Sequence, residues 1–181
     1  TTPKRFSYHA CGDSEGHKEL GEKLGENFDR YYVELVTRET AGLFSGIRNI
    51  VERTKSVKHA ALSNACGEYA RRVVKVNKLD SIFEMSLGAD DVSKAKPEPD
   101  GIRELCQKLN VDVSNACYVG DAPSDGRAAK AAGCMFSIGV NWGSHDLSDA
   151  SNEEHFDIVC EAREELERFF MKALTTNEVM P

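Results

Sequence analysis

Short apolar runs that alternate with helical periodicity constrain this chain more than any other feature. The runs are VKHAAL at 57–62, IFEMSL at 82–87, ACYV at 116–119, MFSIGV at 135–140 and FDIV at 156–159. Runs of that length without strict polar alternation fit strands buried on both faces. The stretches 66–78 and 100–109 instead place apolar residues three or four positions apart, as at Tyr69, Val73 and Val76 or at Ile102, Leu105, Cys106 and Leu109. That spacing gives a helix one stripe to bury. Strands joined through helices run parallel, with helices on both faces of the sheet. The expected class is therefore α/β, a doubly wound, Rossmann-like parallel sheet, whose ligands bind in the crevice at the carboxyl ends of the strands.

Further helices bracket this core. Leu20, Leu24, Phe28, Tyr31, Tyr32 and Leu35 recur through 14–38, and Ile47, Ile50 and Val51 share one face of 46–55. The only break in the pattern falls near 41–46, so residues 1–43 are expected to form a helical segment ahead of an α/β core at 44–181. Local punctuation agrees. Pro123 suits a first helical position, Gly133 a helix stop, and Asp100 an N-cap ahead of Ile102. A closing helix is expected at 161–174.

At 181 residues the chain is the size of one domain, or of a domain with a small appendage. No apolar run nears the roughly 18 residues of a membrane-spanning helix. The 23 basic and 30 acidic residues leave a net charge of −7, which argues against a nucleic-acid partner. The opening Thr1-Thr2-Pro3-Lys4-Arg5 has no apolar core behind it of the kind a signal peptide carries. Six cysteines, at 11, 66, 106, 117, 134 and 160, include no CxxC pair, and several fall inside apolar stretches. They read as buried free thiols of a reducing compartment, so a cytoplasmic location is expected and a zinc site or disulfide framework is not. The five histidines show no metal-ligand spacing and read mostly as surface residues.

Polar groups fall at the expected carboxyl ends of strands. Ser63 and Asn64 follow the first run, Lys96 lies in SKAKPEPD after the second, and Asp121 closes ACYVGD. In a doubly wound sheet these converge on one crevice. A hydroxyl and neighbouring amides donate to phosphoryl oxygens, a lysine neutralises their charge, and a carboxylate holds Mg²⁺, a hard cation that prefers oxygen. Asp125 adds a second carboxylate in the first turn of the next helix, where free amides favour negative charge. Taken singly, each has a plainer reading: Ser63 and Asn64 as helix caps, Lys96 as a solvated loop lysine, Asp121 and Asp125 as cap and first-turn acid. Their common order at matching strand ends favours a site.

The runs AALSNAC, SKAKPEPDGI and YVGDAPSDGRAAKAAG resemble the second, third and fourth motifs of the haloacid dehalogenase superfamily, close to its phosphoglycolate phosphatase-like members. NFDRYYVEL, followed by AGLFSGIRNIVERT, is similar to the end of their helical cap and the helix after it, so the likeness spans residues 27 to 165. The resemblance implies a fold of that type with part of a cap, and a Mg²⁺-dependent phosphoric monoester hydrolase acting on a small phosphorylated metabolite. It further implies that Ser63 binds the phosphoryl group with Asn64 beside it, that Lys96 holds nucleophile and phosphate charges together, and that Asp121 ligates Mg²⁺ with Asp125 in support.

One departure outweighs the matches. The family's first motif, DxDxT after an apolar strand, supplies the attacking aspartate, and no such run is present. Without a carboxylate nucleophile there is nothing to form an aspartyl-phosphate. Asp13 is the nearest candidate, behind a segment that alternates like an exposed strand; a polar helix-start segment of the cap is the alternative for 13–16. In the family the first-motif strand lies between the strands that carry the second and fourth motifs. Its loss leaves two half-sheets with unpaired inner edges, so a segment before Thr1 or a partner segment, rather than 1–11, is expected to fill the place. The competing function is a catalytically inactive phosphate-binding or regulatory module. A phosphoacceptor receiver domain fits poorly, because its acids precede its hydroxyl and lysine, whereas Asp121 comes last.

Overall fold

Every strand pair in the computed structural model, which describes residues 18–148 and 154–176, is parallel, as crossover helices require. Asp13 and the segment 1–11 lie outside the described residues. Helix α1 (Lys18–Glu34) leads to α2 (Ile47–Arg53), after which β1 (His59–Leu62), α3 (Gly67–Val76), β2 (Phe83–Leu87) and α4 (Asp100–Lys108) follow. The second half runs β3 (Cys117–Gly120), α5 (Pro123–Ala132), β4 (Phe136–Val140), β5 (Ile158–Cys160) and α6 (Arg163–Thr176). All five expected strands are present, each within two residues of its apolar run.

These strands form two sheets. β1 pairs with β2, Leu62 opposite Leu87, and β3 pairs with β4, which pairs with β5. Among the described residues the inner edges of β1 and β3 therefore lack a strand partner, the arrangement expected of a sheet without its middle strand. Edge position also explains a difference from expectation: β1 is half-buried along its length instead of buried, and β3 leaves Val119 38% exposed.

Helices close the seam on both faces. Successive side chains of a strand point to opposite sides, so Ala61 and Leu62 leave β1 in opposite directions. Leu62 packs with Ile102, Cys106, Ala128, Ala129 and Tyr118, tying β1 to β3 through α4 and α5. On the other face Val51 joins Val74, Leu79 and Ala61, while its neighbour Ile50 joins Ile138, Val140, Cys160 and Leu166. Helix α2 thus touches both sheets. Burying a side chain as completely as Ile138 contributes about 1.5–3 kcal/mol.

Helix ends follow the sequence at α5, where Pro123 opens the helix and Gly133 closes it at φ 89°, a left-handed conformation that suits glycine. They differ at α4. Pro99 takes the cap position, and Asp100 is the first helical residue, its Oδ1 accepting from Ser93 Oγ at 2.5 Å instead of from the helix amides. Cys66, Cys106 and Cys160 are buried free thiols and Cys134 is half-buried, but Cys117, on the edge strand, is exposed. His59 is not a surface residue; its half-buried ring lies against Thr54. No helix among the described residues is long and apolar enough to cross a membrane.

Candidate active site

Strand β1 runs directly into Ser63. The Ser63 amide donates to the Leu87 carbonyl at 2.9 Å, and its Oγ accepts from the Ala65 amide at 3.1 Å, which leaves the hydroxyl proton to donate. Asn64 is turned toward the loop after β2. Its Oδ1 accepts from the Lys96 amide at 3.0 Å and its Nδ2 donates to the Lys96 carbonyl at 2.9 Å. This two-point grip on one residue's backbone sets where Lys96 stands.

Lys96 Nζ donates to Asp125 Oδ1 at 2.7 Å, to the Tyr118 hydroxyl at 2.9 Å and to the Leu62 carbonyl at 3.1 Å. Each ammonium proton has an acceptor. Burial works to lower the lysine pKa, but Tyr118 and the carboxylate of Asp125 outweigh it and hold Lys96 above the ordinary range. It is a cation at neutral pH. Burial, above all, pushes Tyr118 up to about 12, so its ring stays a phenol that accepts from Lys96.

Asp125 is buried in the first turn of α5, and its Oδ2 accepts from the amides of Asp121 at 3.1 Å and Ala122 at 3.0 Å. One oxygen therefore caps the helix while the other faces Lys96. A Cβ on Gly120 would collide with the Asp125 side chain, so the end of β3 passes only as glycine. Asp121 is held from the loop after β4: its Oδ2 accepts from the Ser144 amide at 2.6 Å and the Ser144 hydroxyl at 2.7 Å. Burial raises the Asp121 pKa, but the two Ser144 bonds prevail and keep the carboxyl below the usual range.

Ser63, Asn64, Lys96, Asp121 and Asp125 are thus brought together where β1 and β3 end. Tyr118, which accepts from Lys96, and Ser144, which donates to Asp121, are contacts of this cluster that the sequence reading missed. Ser144 follows the run at 135–140 and satisfies the same strand-end rule that marked Ser63 and Asp121; Tyr118 sits inside its strand, and no local signal marks it. Mg²⁺ keeps several waters and takes one or two carboxylates plus substrate phosphate. Among the described residues no cluster of three His, Cys, Asp or Glu side chains could hold a metal ion alone. Asp121 spends Oδ2 on Ser144 and has Oδ1 to offer, so the donor chemistry fits such an ion, whereas both Asp125 oxygens are already engaged.

The fold and site define a doubly wound α/β protein with a lysine, two carboxylates and a serine gathered where β1 and β3 end. Residues 3–139 match the haloacid dehalogenase-like hydrolase family, to which the chain belongs. It is 31% identical over 145 residues to a phosphoglycolate phosphatase of Neisseria meningitidis, a match covering 78% of this chain and 60% of that protein. To the phosphoglycolate phosphatase of Escherichia coli K12 it is 27% identical over 145 residues, covering 79% and 56%. The chain thus spans 60% or less of the length of these curated relatives. A β-phosphoglucomutase from Clostridium difficile shares the fold, with a TM-score of 0.72 at 18% identity over 95% of this chain and 75% of that one.

Proposed function

We propose that this chain supplies the phosphate cradle of a Mg²⁺-dependent phosphoric monoester hydrolase acting on a small phosphorylated metabolite of the phosphoglycolate kind. The observation that carries this reading is the buried, protonated Lys96 between Asp125 and Tyr118, beside Ser63 at a strand end. Phosphoryl oxygens would accept from the Ser63 hydroxyl and nearby amides. Lys96 would exchange the Leu62 carbonyl, the longest of its three bonds, for a phosphoryl or carboxylate oxygen while Asp125 holds it in place. Mg²⁺, when bound, would neutralise phosphoryl charge; Asp121 would hold it through Oδ1, while Asp125, its oxygens taken by Lys96 and the helix amides, keeps Lys96 in place.

The nucleophile in this reading is an aspartate outside the described residues, on a strand that fills the seam between β1 and β3 from before Thr1 or from a partner. Its carboxylate attacks phosphorus, the alcohol leaves and takes a proton, and water then cleaves the acyl phosphate to restore the carboxylate and release inorganic phosphate. Residues 1–43 would belong to a helical cap, a reading supported by α1, which exposes Leu20, Leu24 and Tyr31 while Tyr32 stacks on Tyr69. Free thiols support a cytoplasmic setting.

The test is the intact mass of the native protein, followed by aryl phosphate hydrolysis with Mg²⁺ and with EDTA. A mass above 20.0 kDa with Mg²⁺-dependent turnover, reduced about 100-fold or more by Lys96→Met and Asp121→Asn, supports the hydrolase. Phosphate binding without turnover points instead to the inactive phosphate-binding module.

A further inference from the structure

The loop at 141–147, which follows β4, is anchored near both ends. Leu147 is fully buried, and Trp142 packs against the cluster of Ile138, Val140 and Leu166. The Arg163 guanidinium carbon lies 5.7 Å from the centroid of the Trp142 ring and 5.5 Å from that of Phe44. Asn141 closes the base of the loop: its Oδ1 accepts from the Leu147 amide at 2.7 Å, and its Nδ2 donates to Glu161 Oε2 at 2.8 Å. A loop held in this way presents its tip already ordered, with little conformational freedom left to lose. The tip is Gly143, Ser144 and His145, all exposed.

Contacts at the tip converge on Asp121. A Cβ on Gly143 would stand 2.2 Å from the Asp121 Cβ, too close for unbonded atoms, so the backbone lies directly against the aspartate. The Ser144 amide and hydroxyl both donate to Asp121 Oδ2, at 2.6 and 2.7 Å. His145 Nδ1 lies 3.0 Å from the Ser144 Oγ. A hydroxyl has one proton, and here two acceptors compete for it. The carboxylate is nearer and charged, and charge-assisted bonds are roughly twice as strong as neutral ones, so Asp121 takes it. His145 is then the donor to Oγ through Nδ1–H, which leaves the lone pair on Nε2. The bonds run one way, from His145 to Ser144 to Asp121. Water would otherwise share an exposed hydroxyl; the imidazole N–H on its oxygen keeps its proton aimed at the aspartate.

We infer that this loop is a preformed clamp on Asp121, in which His145 and Ser144 are positioning residues that hold Oδ2 and leave Oδ1 for a divalent cation. The cation rests on the hydrolase reading; the direction of the hydrogen bonds does not. Neither residue needs to touch the ion. Partners that orient a ligating carboxylate are typically worth about 10–100-fold in metal affinity.

The experiment combines nitrogen NMR of the His145 ring at about pH 8, where an ordinary imidazole is neutral, with calorimetric Mg²⁺ titration. It uses the native protein and the variants Ser144→Ala, Ser144→Thr, His145→Ala and His145→Asn. The native ring should carry its proton on Nδ1, and Ser144→Ala should release it to a mixture of tautomers. The Mg²⁺ midpoint should rise about tenfold in Ser144→Ala and about threefold in His145→Ala, the low end for one hydrogen bond. Ser144→Thr keeps the hydroxyl and His145→Asn keeps a donor near the place of Nδ1, so both should stay near the native midpoint. A native ring protonated on Nε2 overturns the clamp, as does a His145→Asn protein no better than His145→Ala. Native protein that takes up no Mg²⁺ refutes the cation's role together with the hydrolase reading; Mg²⁺ binding that all four variants retain unaltered refutes the clamp alone.

Discussion

Lys96 Nζ and Asp125 Oδ1 lie 2.7 Å apart, with both side chains less than a tenth exposed. The pair joins the loop after β2 to the first turn of α5, and so spans the two sheets. Removing one partner of a buried ion pair strands the other charge, at a cost of about 3–5 kcal/mol. Asp125→Ala should reach that range, because it also frees the amides of Asp121 and Ala122. Lys96→Met should cost less, since Asp125 keeps those two donors. Urea unfolding of both variants checks the order, and a Lys96 variant less stable than the Asp125 variant would refute it.

Asn64 is expected to act as a positioning residue. Asn64→Leu removes both bonds to the Lys96 backbone and should weaken inorganic phosphate binding about tenfold, the equivalent of roughly 1.4 kcal/mol. In a Lys96→Met background the same change should weaken it no further. Calorimetric titration of the four proteins closes the cycle; additive losses would show that Asn64 meets the phosphate on its own account.

At alkaline pH, Tyr118 and Tyr69 should ionise late, since burial, above all, pushes each up to about 12. A proton held more tightly in the folded state than in the unfolded one stabilises the fold below the unfolded value, near 10. That contribution is lost as pH climbs from about 10 toward 12. Absorbance titration at the phenolate band, repeated on Tyr118→Phe, should show one late group fewer in the variant; an unchanged late phase would contradict the assignment.

The opposite sign applies to Asp157. Burial raises its pKa, but the amide and hydroxyl of Ser137, both at 2.8 Å, prevail with help from Lys130 and keep it below the usual range. Its stabilising effect is present above the unfolded value, near 4, and is lost as pH falls through the folded one. Asp157→Asn should therefore melt below the native protein at pH 7, with the gap closing as pH drops under about 4. A gap that stays constant with pH would contradict the linkage.

Gly143 leaves no room for a Cβ beside Asp121, and Gly120 leaves none beside Asp125. Gly143→Ala should displace Asp121 and abolish the rise in melting temperature on adding Mg²⁺, while shifting the metal-free melting point little. Gly120→Ala should lower the metal-free melting point itself, because the collision falls on a buried ion pair; overpacking of that kind costs about 1–3 kcal/mol. Thermal melts with and without Mg²⁺ separate the two, and equal behaviour would refute the distinction.

The strands were legible because five apolar runs stand apart from helical spacing, and the site because Ser63, Lys96 and Asp121 follow strand ends in one order. Other features depend on contacts between distant segments. Asp100 carries every local sign of a cap, yet Ser93 across the loop claims its carboxylate. The apolar run at 57–62 reads as wholly buried, but its burial depends on which strand lies beside β1. Asn64 reads as a ligand or a cap until the backbone of Lys96 is brought against it. The stack of Phe44, Arg163 and Trp142 draws on three regions of the chain, and no short window contains it.

The division into two sheets also governs how the molecule comes apart. β1, α3 and β2 form one unit close in sequence, and β3, α5 and β4 another, each stabilised by local contacts that form quickly. The cradle straddles their junction, with Lys96 on one side and Asp125 on the other. Parting of the halves would separate Lys96 from Asp125 before either half need lose its helices, so the ion pair is expected to break at a denaturant concentration that still spares the circular dichroism signal.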